Sequence, residues 1–336
     1  MSTASLTTRE LYRGPLASAA PLQIVSTDSD HDGCPELLVG TWDAQQLLVG
    51  DCDLDTPWRA YAFEYDWATL VALEPGVLAI SSHDARRARL TLECGQPRTA
   101  WEVSARAEQA LDVQPVAVAR GPEGTLVVAD QLDDLHIFTV ANCELSAISR
   151  HSANNAHVLA LRWFQAPQGQ VLCMTTAADV PAMLLECASW PLDEDSVFEL
   201  RGGGWLFDPD IFLEQDLHIE AARFGVAQVA RLSFGATGPS FTPLARLPEP
   251  FTPQLVTASR SPEGSVQVLY TSDHSTLTAL TLDPPQRAWR EQALTDLGDG
   301  EIVALHSTLV DGHPATVIVL RAGGVARVLM LRSKSS

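Results

Sequence analysis

Lysine is almost missing from this sequence: Lys334 is the only one, so Schiff-base chemistry, a phosphate-binding lysine and a lysine general base are excluded. Positive charge in general is scarce. Twenty-two Lys and Arg face 42 Asp and Glu, for a net charge of −20. The surface therefore repels nucleic-acid backbones and anionic membranes, which argues against either as the main partner. The six cysteines (Cys34, Cys52, Cys94, Cys143, Cys173, Cys187) contain no CxxC, and no His–Cys pair has zinc-ligand spacing. The opening residues hold no apolar signal core, so the cysteines are expected as free thiols in a reducing compartment, cytoplasmic or nuclear. No window approaches the roughly 18 apolar residues of a membrane span. A soluble protein without membrane insertion is expected. GxGxxG, GxxxxGK[ST] and GxSxG are absent, which removes sequence support for nucleotide-phosphate binding and for a hydrolase elbow. Amphipathic helical spacing is absent as well.

What is present is a repeat. "ARGPEGTLVVADQLDDLHIFTV" (119–140) and "ASRSPEGSVQVLYTSDHSTLTALTL" (258–282) both read strand, Pro-Glu-Gly turn, strand, polar turn, strand. With the turn glycine as anchor, Gly33, Gly76, Gly124, Gly169, Gly264 and Gly312 follow at spacings of about 43 to 48 residues, with one double gap. The gap predicts a further member near Asp216, a residue type that tolerates turn geometry. A period in the mid-forties with apolar runs of four to six residues ("TLVVA", "QVLCM", "TVIVL", "RVLML") points to four-stranded blades buried on both faces. The expected fold is all-β, a seven-bladed β-propeller formed by one domain over residues 21–332. The segment 1–20 is expected to lend "TRELYRGPL" to the last blade, and 333–336 to form a tail.

The "SPEG" and "GPEG" turns, each followed by a strand, an acid-rich turn and another strand, resemble those of the WD-repeat family. The resemblance spans roughly residues 20 to 331. It implies a propeller that serves protein–protein interaction. No repeat ends in Trp-Asp or begins with Gly-His, so the member is divergent.

"DSDHDGCPELLVG" (28–40) resembles the calcium loops of FG-GAP propeller repeats, which follow Asp-x-Asp-x-Asp-Gly-x-x-Asp. That resemblance implies side-chain ligands at Asp28, Asp30, Asp32 and Glu36, with Gly33 at the turn and Glu36 replacing the usual Asp. An EF-hand is excluded, because Val39 stands where a bidentate Glu is needed. The alternative is a solvated strand-to-strand turn, since the other repeats lack such acids. "DCDLD" (51–55) lacks the glycine and is the weaker cluster. "ELRGGGWLFDPD" (199–210) reads either as an inter-blade connection or as a partner-facing loop, with Trp205 as rigid anchor beside Asp208 and Asp210. Trp58, Trp67, Trp101, Trp163, Trp190 and Trp289 fall near repeat ends, as inter-blade packing residues do.

Together these features lead to a non-enzymatic interaction scaffold or adaptor whose partners are other proteins in a complex. No cofactor is expected apart from calcium at the Asp28–Glu36 loop. Two alternatives stand beside it: a calcium-binding FG-GAP-like module, and a WD-type propeller hydrolase such as a diphthine methylesterase.

Overall fold

The short apolar runs become strands throughout. The computed structural model holds twenty-seven of them, with a single 3-10 turn at Pro122–Gly124, among the described residues. Those residues are 6–16, 22–27, 33–41, 46–52, 57–62, 67–74, 77–84, 87–96, 102–152, 158–166, 169–177, 183–192, 199–204, 217–221, 227–235, 238–249, 254–260, 265–283, 288–294 and 297–333. Among them, no helix is long and apolar enough to cross a membrane.

The chain opens with β1 (Leu6–Pro15). An antiparallel meander follows: β2 (Leu22–Thr27), β3 (Glu36–Thr41), β4 (Gln46–Asp51) and β5 (Arg59–Ala62). The second comprises β6 (Trp67–Glu74), β7 (Val77–Asp84), β8 (Arg87–Gln96) and β9 (Glu102–Leu111). The third is β10 (Pro115–Arg120), β11 (Thr125–Asp130), β12 (Asp134–Ala141) and β13 (Glu144–Ser152). Next come β14 (Val158–Ala166), β15 (Gly169–Ala177), β16 (Met183–Ser189) and β17 (Glu199–Gly204), then β18 (Leu217–Ala221), β19 (Ala227–Gly235) and β20 (Gly238–Arg246). A further meander holds β21 (Leu255–Arg260), β22 (Val266–Thr271), β23 (Leu277–Asp283) and β24 (Ala288–Leu294). Last are β25 (Glu301–Val310), β26 (His313–Ala322) and β27 (Val325–Ser333). β1 pairs antiparallel with β27 and completes a four-stranded sheet with β25 and β26.

The repeat count expects seven sheets, and the described strands form six. β14 to β20 make one seven-stranded sheet, joined in the middle by the single pair Gly204↔Glu220. Asp216, the expected seventh turn residue, lies outside the described residues, as do Gly76 and Gly264. The other anchors sit just before or at the start of the second strand of their sheets. Gly33, Gly124, Gly169 and Gly312 all have positive φ, at 86°, 73°, 136° and 73°. At Gly33 a Cβ would come within 2.8 Å of Asp311 Oδ1, and at Gly124 within 2.9 Å of the Val140 carbonyl. The Gly124 approach is to backbone and leaves no room for a side chain, whereas at Gly33 the neighbour is a movable carboxylate and the positive φ is what favours glycine.

The sheets fall into two compact units, each with its own cores. Met1–Glu64, Pro97–Trp101 and Pro250–Ser336 make one; Tyr65–Gln96 and Glu102–Glu249 make the other. In the second unit the four central residues of β11 divide by alternation. Leu126 and Val128 join a cluster with Leu90 of β8, whereas Val127 and Ala129 join one with Leu161 of β14 and Leu172 of β15. In the first unit β26 does the same: Val317 and Val319 pack with Leu37 and Leu48, Ile318 and Leu320 with Leu269 and Leu277. A strand apolar on both faces is thus explained by a sheet on either side of it. Each fully buried Leu or Ile contributes about 1.5–3 kcal/mol from transfer alone. The fourth strands are different. β13 and β24 are mostly exposed, as outer edges are.

Candidate functional site

The acid-rich segment connects β2 to β3, which pair antiparallel from Leu22↔Thr41 to Thr27↔Glu36. It therefore lies where the chain reverses. Asp28, Asp30 and Asp32 fall outside the described residues. Glu36 begins β3 opposite Asp51 and is 2% exposed. Beside it, the Gly33 carbonyl accepts the Asp311 N–H at 2.7 Å, linking this turn to the one between β25 and β26.

Here the thiol expectation is corrected. Cys34 and Cys52 form a disulfide with Cα atoms 5.6 Å apart, and Cys94 and Cys143 form another at 6.1 Å. The cause is topology: Cys34 and Cys52 close the open end of the β3–β4 hairpin, and Cys94 and Cys143 come from successive repeats whose sheets pack together. Cys34, Cys52 and Asp51 offer ligand atoms within 4.8 Å of one another, but both sulfurs are committed to the S–S bond. Arg332 donates to Met330 Sδ at 3.3 Å and to Cys52 Sγ at 3.9 Å. Burial pushes the pKa of its guanidinium down, and nearby Asp311 opposes that shift.

A hydroxyl seam joins the first strands of three sheets in the same unit. Thr257 Oγ1 and Ser307 Oγ are 2.6 Å apart, both residues being buried. Thr308 donates to Ser26 Oγ at 3.0 Å, and Ser26 Oγ lies 2.9 Å from His306 Nε2. The seam thereby satisfies polar groups that the sheet interfaces bury.

Among the described residues, a highly organised exposed feature is the turn between β11 and β12, in the other unit. Asp130 is fully buried. Its Oδ1 accepts the N–H groups of Leu132 at 2.8 Å and Asp134 at 3.1 Å, and its Oδ2 lies 2.7 Å from His136 Nε2. Asp133 adopts φ 65°, conformation that aspartate tolerates in turns. Gln131 is tied to Gln114 through a backbone bond of 2.9 Å and a side-chain bond of 2.6 Å. Arg150 donates to Asp134 from the adjoining strand. At the tip of this braced turn Leu132 is 61% exposed. The same sheet exposes a second large apolar residue. The β12–β13 register slips between Ile137↔Ser149 and Phe138↔Ala147, leaving Ile148 as the extra residue of a bulge, 56% exposed.

The sequence-level partner-facing loop cannot be placed: Trp205, Asp208 and Asp210 lie outside the described residues. Of this segment Glu199–Gly204 is described, as β17, with Gly203 and Gly204 facing Leu184 and Met183 across the ladder. Of the tryptophans, Trp58 packs on Tyr12, their rings 5.5 Å apart, and Trp163 meets Trp190 edge-on at 4.8 Å, in each case against a core cluster. Sequence reasoning passed over "DQLDD" because an Asp-rich turn with one leucine has no distinctive spacing. The readable signal was an apolar residue where turns are normally polar.

No known protein family matches the sequence, and no curated protein does. Among solved structures, the chain is similar to BBS1N, the BBS1 N-terminal β-propeller, crystallised in complex with ARL6DN and soaked with mercury. The TM-score is 0.58 over 96% of both chains, at 9% sequence identity. At that identity the likeness is one of fold: an all-β chain of the β-propeller kind.

Proposed function

We propose that this chain is a seven-bladed, divergent WD-repeat-like propeller acting as a non-enzymatic interaction scaffold in a multi-protein assembly. The observation that carries the reading is Leu132, a large apolar side chain held in solvent by a turn braced from within by buried Asp130. A rigid tip binds at low entropic cost, because the loop is ordered before the partner arrives. The BBS1 propeller, of similar fold, was crystallised with a protein partner, which accords with this use of the architecture. The acidic chain, at −20, favours a partner with a basic or mixed surface. The test is affinity capture from the native cell with the wild type and Leu132→Asp side by side, the proteins read by mass spectrometry. Specific partners should fall at least tenfold with the variant while its unfolding midpoint stays put. Equal recovery would remove Leu132 from the interface.

A calcium-binding FG-GAP-like role is the second reading, with Asp28, Asp30, Asp32 and Glu36 as ligands. It is favoured by a nearly fully buried carboxylate, Glu36, at the exit of an acid-rich loop beside a left-handed glycine. Scanning calorimetry with calcium and with chelator separates the two readings. A calcium-dependent rise in unfolding temperature supports the metal, and coincident scans exclude it.

A further inference from the structure

We infer that Cys173 and Cys187 form a third disulfide, and that the protein matures in an oxidising compartment, not in the cytoplasm or nucleus. β15 and β16 pair antiparallel with Cys173 directly opposite Cys187. Directly opposed residues of an antiparallel ladder have Cα atoms about 4.5 or 5.5 Å apart, depending on whether they exchange hydrogen bonds. Both values lie inside the roughly 4.4–6.8 Å range that a disulfide spans. The backbone register alone therefore meets the distance requirement, with no movement of either strand.

The neighbouring register positions place both cysteines on one face of the sheet. One row across four strands reads Arg162, Cys173, Cys187, Glu199. Leu172, Met174 and Ala188 of the adjacent rows belong to the core, so strand alternation assigns the cysteine row to the opposite face of the sheet. Bond formation follows ordinary exchange with a protein disulfide donor. The Cys173 thiolate attacks one donor sulfur to give a mixed disulfide. The Cys187 thiolate then displaces the second donor thiol, the two cysteine protons end on the donor, and the donor leaves reduced by two electrons.

The stronger argument is collective. Cys34 is bonded to Cys52 and Cys94 to Cys143, and the register pairs the remaining two with each other. Free cysteines in a reducing compartment have no reason to sort into opposed pairs. A complete set of three, with none left over, is the pattern of a chain exposed to dithiol oxidation.

The experiment is thiol trapping. Cells that naturally make the protein are lysed in N-ethylmaleimide under denaturing conditions, and the intact mass is measured before and after reduction. The expected result is no maleimide adduct before reduction and six after it, with a Cys173–Cys187 crosslinked peptide in the digest. Maleimide on both Cys173 and Cys187 would overturn the third bond, and maleimide on all six would overturn the compartment as well. The Cys173→Ser variant, handled in the same way, should show one adduct, at Cys187. No adduct on that variant would mean that Cys187 has another partner and would refute the pairing. Trapping reports bonding whether or not the variant folds to full stability.

Discussion

Replacing Asp130 by alanine tests the brace beneath the proposed contact. The carboxylate is fully buried and takes part in three hydrogen bonds of 2.7 to 3.1 Å, two from turn amides and one with His136. Hydrogen bonds to a charged group contribute about 1.5–3 kcal/mol each, so a simple sum would run to about 5–9 kcal/mol. That sum is too large for the variant. The freed Leu132 amide sits at an exposed tip and is rehydrated, and the His136 side chain is 18% exposed and also reaches water. The expected cost of Asp130→Ala is therefore about 2–4 kcal/mol, mostly from the Asp134 amide and the apolar surroundings of the lost carboxylate. Asp130→Asn keeps an oxygen for both amides and should cost only about 1 kcal/mol. Equilibrium urea unfolding measures all of this, with His136→Ala and the double variant completing a cycle whose coupling should be about 1–2 kcal/mol. A cost for Asp130→Ala below about 0.5 kcal/mol, as for an ordinary surface substitution, would refute the brace. The binding consequence is separable: partner affinity should fall with Asp130→Ala even below the midpoint of unfolding, because the tip loses its fixed geometry.

Three other outcomes are expected. Glu10 on β1 is held at a pKa of about 2, against 4.5, by the hydrogen bond from Arg13 and then by Arg327, against a desolvation effect of the opposite sign. Since the folded value is depressed, its contribution is present above pH about 4.5 and is lost as pH falls toward 2. With the carboxylate a third exposed, the difference between wild type and Glu10→Gln should be about 1 kcal/mol at neutral pH, vanishing in acid; a gap that does not change with pH would contradict this. Loop-closure entropy over separations of 18 and 49 residues gives about 3 kcal/mol for Cys34–Cys52 and about 4 kcal/mol for Cys94–Cys143. Paired serine substitutions should follow that order in chemical denaturation, and equal stability with and without dithiothreitol would count against both bonds. Ile318→Ala and Val317→Ala empty different clusters on the two faces of β26, so their costs, about 2–5 and 1–3 kcal/mol, should add within roughly 0.5 kcal/mol; strong coupling in the double variant would show that one core serves both faces.

Much of the fold was legible because it depends on local chemistry. The anchor glycines could be recognised from the residues around them, and the four that are described all adopt the left-handed backbone that makes glycine necessary. The apolar runs without alternation indicated strands covered on both faces, as β11 and β26 are. The cysteines were misread for the opposite reason. Their partners are set by register and by sheet stacking, which no local pattern shows, although Cys94 and Cys143 are 49 residues apart, one repeat period. The same limit hid the site. That Asp130 is buried, and that it holds two amides and an imidazole at once, follows from how β11 and β12 pair and not from the letters of the turn.

The turn containing Leu132 gains meaning beside its counterpart between β22 and β23. There Asp273 accepts the N–H groups of Ser275 and Thr276, each at 2.9 Å, and these bonds hold its pKa at about 2. The device is related: an aspartate at or just after the end of one strand accepts the amides that lead into the next. What each turn does with the fixed geometry differs. The second places His274 against β25, where its backbone carbonyl accepts the Ile302 N–H at 2.6 Å and its Nδ1 lies 2.9 Å from the Ile302 carbonyl. Its tip is therefore used up in joining one sheet to the next. The first turns its bonds inward, to His136 of its own sheet and to Gln114 just before β10, and leaves an apolar side chain 61% exposed. Burying that leucine would gain about 2 kcal/mol, which the folded chain forgoes while stabilising the turn with a buried carboxylate. Such a combination is unfavourable in isolation and reasonable if a partner covers the tip, which is why the Leu132 turn, and not the equally ordered Asp273 turn, is the surface to test.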